Sequence, residues 1–124
     1  MFTNRQILII EGELPDLNQY QNACRTHWAK GAEMKRDAGY IVELEAKKQK
    51  LVAVNNPCFI TYNWFCKNKR KDKSNISAMG RKVIEDGLQQ AGILKQDNWD
   101  AISGFSDLFS VDKDNPRIEV IIDW

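Results

Sequence analysis

Histidine is almost missing from this chain. His27 is the only one in 124 residues. A two-histidine zinc site and the HExxH arrangement of metalloproteases are therefore excluded. A Ser-His-Asp or Cys-His triad would have to use His27, and no Gly-rich nucleophile turn stands near it. Surface packing is the expectation for this side chain. Cysteine is scarce as well: Cys24, Cys58 and Cys66 make an odd count without a CxxC pair. That spacing argues against a zinc ribbon and a disulfide framework and leaves three free thiols. Long hydrophobic runs are absent. The longest, such as Ile7 to Ile10, are four residues, far short of the roughly 20 that a membrane helix needs. The start, Met-Phe-Thr-Asn-Arg, has neither the basic opening nor the apolar core of a signal peptide. A cytoplasmic protein with no membrane partner is expected.

Net charge is also nearly absent, at +1 from 18 basic and 17 acidic residues. The total hides an uneven distribution. Between Lys67 and Lys82 there are seven basic residues and one acid, Asp72; from Glu85 to the end there are nine acids and three basic residues. A polyanion responds to the local field and not to the net charge. Each Lys or Arg that meets a phosphate releases counterions, which supplies most sequence-independent affinity for nucleic acid. A lysine run can equally be a solvated loop that keeps an edge soluble.

The length suits one domain spanning 1–124, with no repeat or linker. Arg5 to Gly12 reads as a strand whose apolar run suggests burial on both faces. Glu13 to Asn18 is a loop set by Pro15, and Gln19 to Gly31 is a loop or a short helix. Ala32 to Lys50 carries a partial apolar stripe and reads as a helix. Asn55-Asn56-Pro57 is a turn. Cys58 to Cys66 is rich in β-branched and aromatic residues and reads as a strand. Ser74-Asn75 can cap a second helix, which Ile76, Met79, Val83, Ile84 and Leu88 carry to about Ala91, with Gly92 as its stop. Phe105 to Val111 and Arg117 to Ile122 read as a closing pair of strands, joined by Asp112-Lys113-Asp114-Asn115-Pro116 as a hairpin turn. The expected fold class is α+β: a mixed sheet with two main helices packed on it. Tyr62, Trp64 and Phe65 alternate along a strand, which usually marks core; stacking on exposed bases is the other use of such residues.

Two acids stand out. Asp72 sits in Lys69-Arg70-Lys71-Asp72-Lys73-Ser74-Asn75, where a strand ends and a helix begins. Asp97 sits in a polar stretch just after that helix, where a carboxylate is usually a solvated loop residue. The segment KRKDKSN, followed by a helix ending EDGLQQAGILKQDNW, resembles the RusA family of Holliday-junction endonucleases. The early loop GELPDLNQY and the closing DKDNPRIEVII resemble its Gram-positive prophage branch, so the likeness spans nearly the whole chain. In that family a D-x-D-N motif follows a basic strand end. A lysine and an aspartate follow in the next helix, then Ala-Gly and a late aspartate. Asp72 matches the first aspartate, Asn75 the asparagine, Lys82 the lysine (with Arg81 as its neighbour), Asp86 the helix aspartate and Asp97 the late one. The second aspartate of the motif is Ser74 here.

The resemblance implies a homodimeric, Mg²⁺-dependent endonuclease, with Mn²⁺ as a substitute, that cuts four-way DNA junctions. Asp72, Asp97 and Ser74 would be metal ligands, and Asp72, Asp97 and Lys82 the catalytic set. Lys69, Arg70, Lys71, Lys73, Asn75 and Arg81 would contact DNA. Replacing a carboxylate by a serine hydroxyl removes one negative charge from a site for a hard cation. A catalytically inactive branched-DNA-binding protein on the same scaffold is thus the alternative. A helix from Asn75 to Ala91 is about 25 Å long. Asp72 and Asp97 can share one ion only if the loop after the helix folds back, or if a partner chain supplies one of them.

Overall fold

A computed structural model describes residues 2–124. The elements run β1 (Arg5–Glu11), α1 (Leu17–Thr26), α2 (Trp28–Lys48), β2 (Cys58–Cys66), α3 (Lys73–Gln90), β3 (Ile102–Val111) and β4 (Arg117–Asp123). One mixed sheet holds all four strands in the order β1-β4-β2-β3. β4 is antiparallel to both β1 and β2, and β3 is parallel to β2. The domain is α+β, as expected, with three helices instead of two.

The helices cover one face of the sheet. Leu8, Ile10, Ile60, Tyr62, Trp64, Ile118, Val120 and Ile122 point into a single core with Val42, Val83, Ile84 and Leu88 from the helices. Burial of this apolar surface is the main stabilising term. The opposite sheet face is uncovered, so β1 alternates and is not buried on both sides: Ile7 is 47% exposed while Leu8 is fully buried. Its apolar run is that of an edge strand with one wet face. Tyr62 and Trp64 are core residues, and Phe65 lies under the Arg117 guanidinium at 3.9 Å; none of the three is free to stack on a base.

The helix ends follow local chemistry. Asp16 caps α1 through a capping box with Gln19. His27 Nδ1 accepts the Ala29 N–H at 3.1 Å, so the only histidine is the cap of α2. The cap of α3 is Asp72 and not Ser74 or Asn75. Gly92, at φ +77°, ends α3 in a Schellman turn: its N–H donates to Gln89 O at 3.0 Å and the Ile93 N–H to Leu88 O at 2.9 Å.

The expected closing hairpin is overturned as well. β3 and β4 are not a hairpin; they flank β2 on its two sides. The segment 112–116 crosses the end of β2, where the Asp112 N–H donates to Cys66 O at 2.8 Å. A gap of two strand spacings, about 10 Å, is within reach of five residues. Turn chemistry marks the reversal of direction but not which neighbour each strand then pairs with.

Candidate functional site

Helix α3 carries the site. Asp72 stands at its N-terminus with extended geometry (φ −69°, ψ 136°), and its side chain makes no capping hydrogen bond. Its carbonyl accepts from the Asn75 and Ile76 N–H groups, each at 3.1 Å. Among the described residues the Asp72 carboxylate pairs with no cation. An Asp that could cap and does not leaves its carboxylate and the Lys73 and Ser74 N–H groups unengaged among the described residues.

The surrounding cations differ in freedom. Lys71 Nζ lies 3.9 Å from both Glu13 Oε1 and Asp16 Oδ2, and Lys67 Nζ lies 3.8 Å from Glu13. These lysines tie the basic segment to the loop before α1. Lys69 and Arg70 are exposed and make no ion pair among the described residues. Lys73 Nζ sits 5.8 Å above the Phe109 ring. Together Asn68, Lys69, Lys71, Lys73, Phe109 and Ser110 line a basic groove of about 580 Å³. Asn75 and Ser74 follow on the first turn of α3, Asn75 half-buried and Ser74 exposed.

The second acid lies elsewhere along the helix. Past the Schellman turn, Ile93 and Leu94 dock in the core at 5% and 2% exposure. They draw the chain back along α3, and Lys82 Nζ donates a hydrogen bond directly to Asp97 Oδ2. Lys82 also lies 3.4 Å from Asp86 Oδ1, one turn on. This hydrogen bond holds the Asp97 carboxyl below its ordinary value against a weaker opposing effect of burial. It raises the Lys82 ammonium above its own.

The loop therefore folds back, but only to the middle of the helix. Lys82 is ten residues beyond Asp72 in the sequence, about 15 Å along the axis at 1.5 Å per residue. Ligands of one Mg²⁺ sit about 2.1 Å from the ion. Asp72 and Ser74 are thus not brought to Asp97 within one protomer. Among the described residues no three His, Cys, Asp or Glu side chains gather as a cage. Asp72 and Ser74 stand at the first turn of α3, whereas Asp97 is held beside its middle by Lys82.

Two neighbours of this cluster were not legible from the sequence. Glu85 is half-buried and accepts from the Tyr62 hydroxyl at 3.3 Å. Burial pushes its carboxyl above the ordinary value, and the Asp97 charge adds to this while Tyr62 opposes it. Glu85, Asp97, Asn98, Trp99, Asp100 and Phe105 line an acidic groove of about 560 Å³, with Trp99 almost fully exposed at 93%. The sequence signal for Glu85 was its place beside Ile84 on the buried side of an amphipathic helix. Asp107 is the other neighbour: it accepts from Trp64 Nε1 at 2.9 Å and lies 3.4 Å from Arg81 Nε, an ion pair without hydrogen-bond alignment. The Arg81 guanidinium also stacks 4.2 Å above Phe105. Arg81, expected on DNA, is engaged within the fold.

No protein-family model and no curated protein sequence matches this chain. No helix among the described residues is long and apolar enough to cross a membrane.

Proposed function

We propose that the chain is a structure-specific endonuclease for branched DNA, with four-way junctions as its substrate and a homodimer as its working form. One observation carries the reading. Asp72 presents an unengaged carboxylate at the start of α3, beside Lys69, Arg70 and Lys73, which are also free of ion pairs among the described residues. A carboxylate set among cations on a rigid helix end suits work on a phosphodiester: the cations and the helix N–H groups hold backbone phosphates without reading sequence. The family resemblance adds Asp97 and Lys82. Lys82 is positioned to offset negative charge that develops on phosphorus. Mg²⁺ is the expected cofactor, with Mn²⁺ in its stead.

Ser74 favours a second reading, that of a junction-binding protein without cleavage. The two separate on a labelled four-way junction with and without Mg²⁺. The nuclease reading expects Mg²⁺-dependent cutting that Asp97→Asn abolishes and Ser74→Asp increases. Binding that is salt-sensitive but insensitive to Mg²⁺, with cutting only in Ser74→Asp, would establish the second reading. Absence of both binding and cutting would overturn both.

A further inference from the structure

The turn after α3 holds a tryptophan in the open. Lys82 fixes the start of this turn through Asp97. The Asn98 side chain accepts from the Asp100 and Ala101 N–H groups at 3.2 and 3.0 Å, and the Asn98 carbonyl accepts from the Ile102 N–H at 3.2 Å. The far end is tied to β2, where the Cys58 N–H donates to Ala101 O at 3.0 Å. Trp99 stands on this pinned turn at 93% exposure. Its ring pairs with no aromatic ring or cation among the described residues. An indole left in water on a fixed backbone forgoes the burial that large aromatics ordinarily gain. Trp28 is comparably exposed, but its ring stacks on His27 with centroids 5.5 Å apart.

The groove beside Trp99 has a chemistry of its own. It is lined by Glu85, Asp97 and Asp100 and, among the described residues, by no Lys or Arg. Like charge keeps a phosphate backbone out of it. Lys82 lies outside the lining and is left to face that backbone at the rim. The second aromatic of the groove, Phe105, has one face covered by the Arg81 guanidinium. Trp99 therefore supplies the open aromatic surface. An acidic cleft with one open indole suits a nucleobase, which brings a π face and no charge. Position agrees with this. Trp99 follows Asp97 by two residues, at most about 7 Å of chain, which is about two stacked nucleotides at 3.4 Å each. A base held there belongs to the strand whose phosphate Asp97 and Lys82 would face.

We propose that Trp99 stacks on an unstacked base at a DNA branch point and so sets the preference for branched over linear DNA. The choice of DNA as ligand rests on the nuclease reading above; the stacking rests on the turn and its groove. In an intact duplex both faces of each base are already covered by neighbours, so the indole gains nothing. At a crossover the helical stack is interrupted, and a base there has a face to give. Every base has a π face, so such a contact responds to structure and tolerates sequence. Tyr62, Trp64 and Phe65, the aromatics that the fold engages, are not needed for it.

Affinities for a four-way junction and for a linear duplex of the same sequence, measured in chelator so that nothing is cut, test the stacking. Trp99→Ala should lower the junction-to-duplex affinity ratio about 10-fold, through the junction alone. Trp99→Phe should recover most of it, and Trp28→Ala should leave the ratio unchanged. The slope against salt should not move with Trp99→Ala, since no phosphate contact is lost. A chain that prefers junctions and is indifferent to Trp99→Ala would overturn the stacking and leave the nuclease reading standing. Equal losses on junction and duplex would also overturn it, because a backbone contact explains them. An unsubstituted chain without any junction preference would overturn both.

Indole emission gives a second answer that leaves the residue in place. In Trp28→Phe, Trp99 is the one strongly exposed tryptophan. Its emission should be quenched by the junction and little changed by the duplex. The same emission with both would sink the stacking, whatever the Trp99 variants do.

Discussion

At the scale of single residues, the candidate site is a set of carboxylates in opposed environments. Asp97 is held ionised by Lys82, and Glu85 is pushed toward its neutral form by burial. Their effects on stability run in opposite directions. Asp97, with a lowered folded-state value, contributes stability above its ordinary 3.8 that is lost as pH falls through the folded value. Glu85 binds its proton more tightly when folded, so its contribution is lost as pH rises from 4.5 through its raised value. Glu85→Gln removes that loss. The variant should therefore gain melting temperature over the parent progressively as pH rises through this window, with little difference at pH 4. A constant offset between the two melting curves from pH 4 to 7 would show that the Glu85 charge is not destabilising. A carbon NMR titration of Lys82→Met gives the companion result: the Asp97 carboxyl should rise toward its ordinary range.

At the scale of elements, α2 and α3 approach each other through glycine. A Cβ on Gly87 would lie 2.5 Å from the Val42 Cβ and 2.9 Å from the Gly39 carbonyl oxygen, whereas one on Gly39 would meet nothing within 4 Å. Alanine in a helix interior ordinarily stabilises by about 0.5–1 kcal/mol relative to glycine, and Gly39→Ala should show that gain in chemical denaturation. Gly87→Ala should reverse the sign and cost about 1–3 kcal/mol, since Val42 is fully buried and cannot yield. Equal effects of the two would contradict this contact. The sequence made the elements themselves readable. β2 has the bounds its aromatic and β-branched run marks, and the Gly92 stop lies where the apolar stripe ends. What could not be read is non-local. The partner of β3 depends on which side of β2 the chain passes, and the one-sided burial of β1 depends on where three helices settle. Neither leaves a trace in local periodicity. α1 has no fully buried residue of its own; its signals were the capping box at Asp16 and the apolar face of Leu17 and Tyr20, which packs on the core.

At the scale of the whole molecule, a basic groove lies at the N-terminal end of α3 and an acidic groove beside its middle. Asp72 and the basic segment were legible from charge clustering, and Lys82 and Asp97 from resemblance. Which lysines are free was not, because that depends on Glu13 and Asp16 returning to Lys67 and Lys71 from the far side of the first loop. The difference is measurable as a salt dependence. Each phosphate contact contributes about 0.9 to the slope of log affinity against log salt. Replacing both Lys69 and Lys73 by alanine should lower the slope for junction binding by up to about 2 and leave the melting temperature nearly unchanged. Lys71→Ala should behave in the opposite way. Its ammonium holds a buried Asp16 and a half-covered Glu13, so its loss should reduce stability and alter the slope little. If Lys71 carried the slope and Lys69 and Lys73 did not, the DNA would lie against the loop before α1, and the groove beside Phe109 would not be its path.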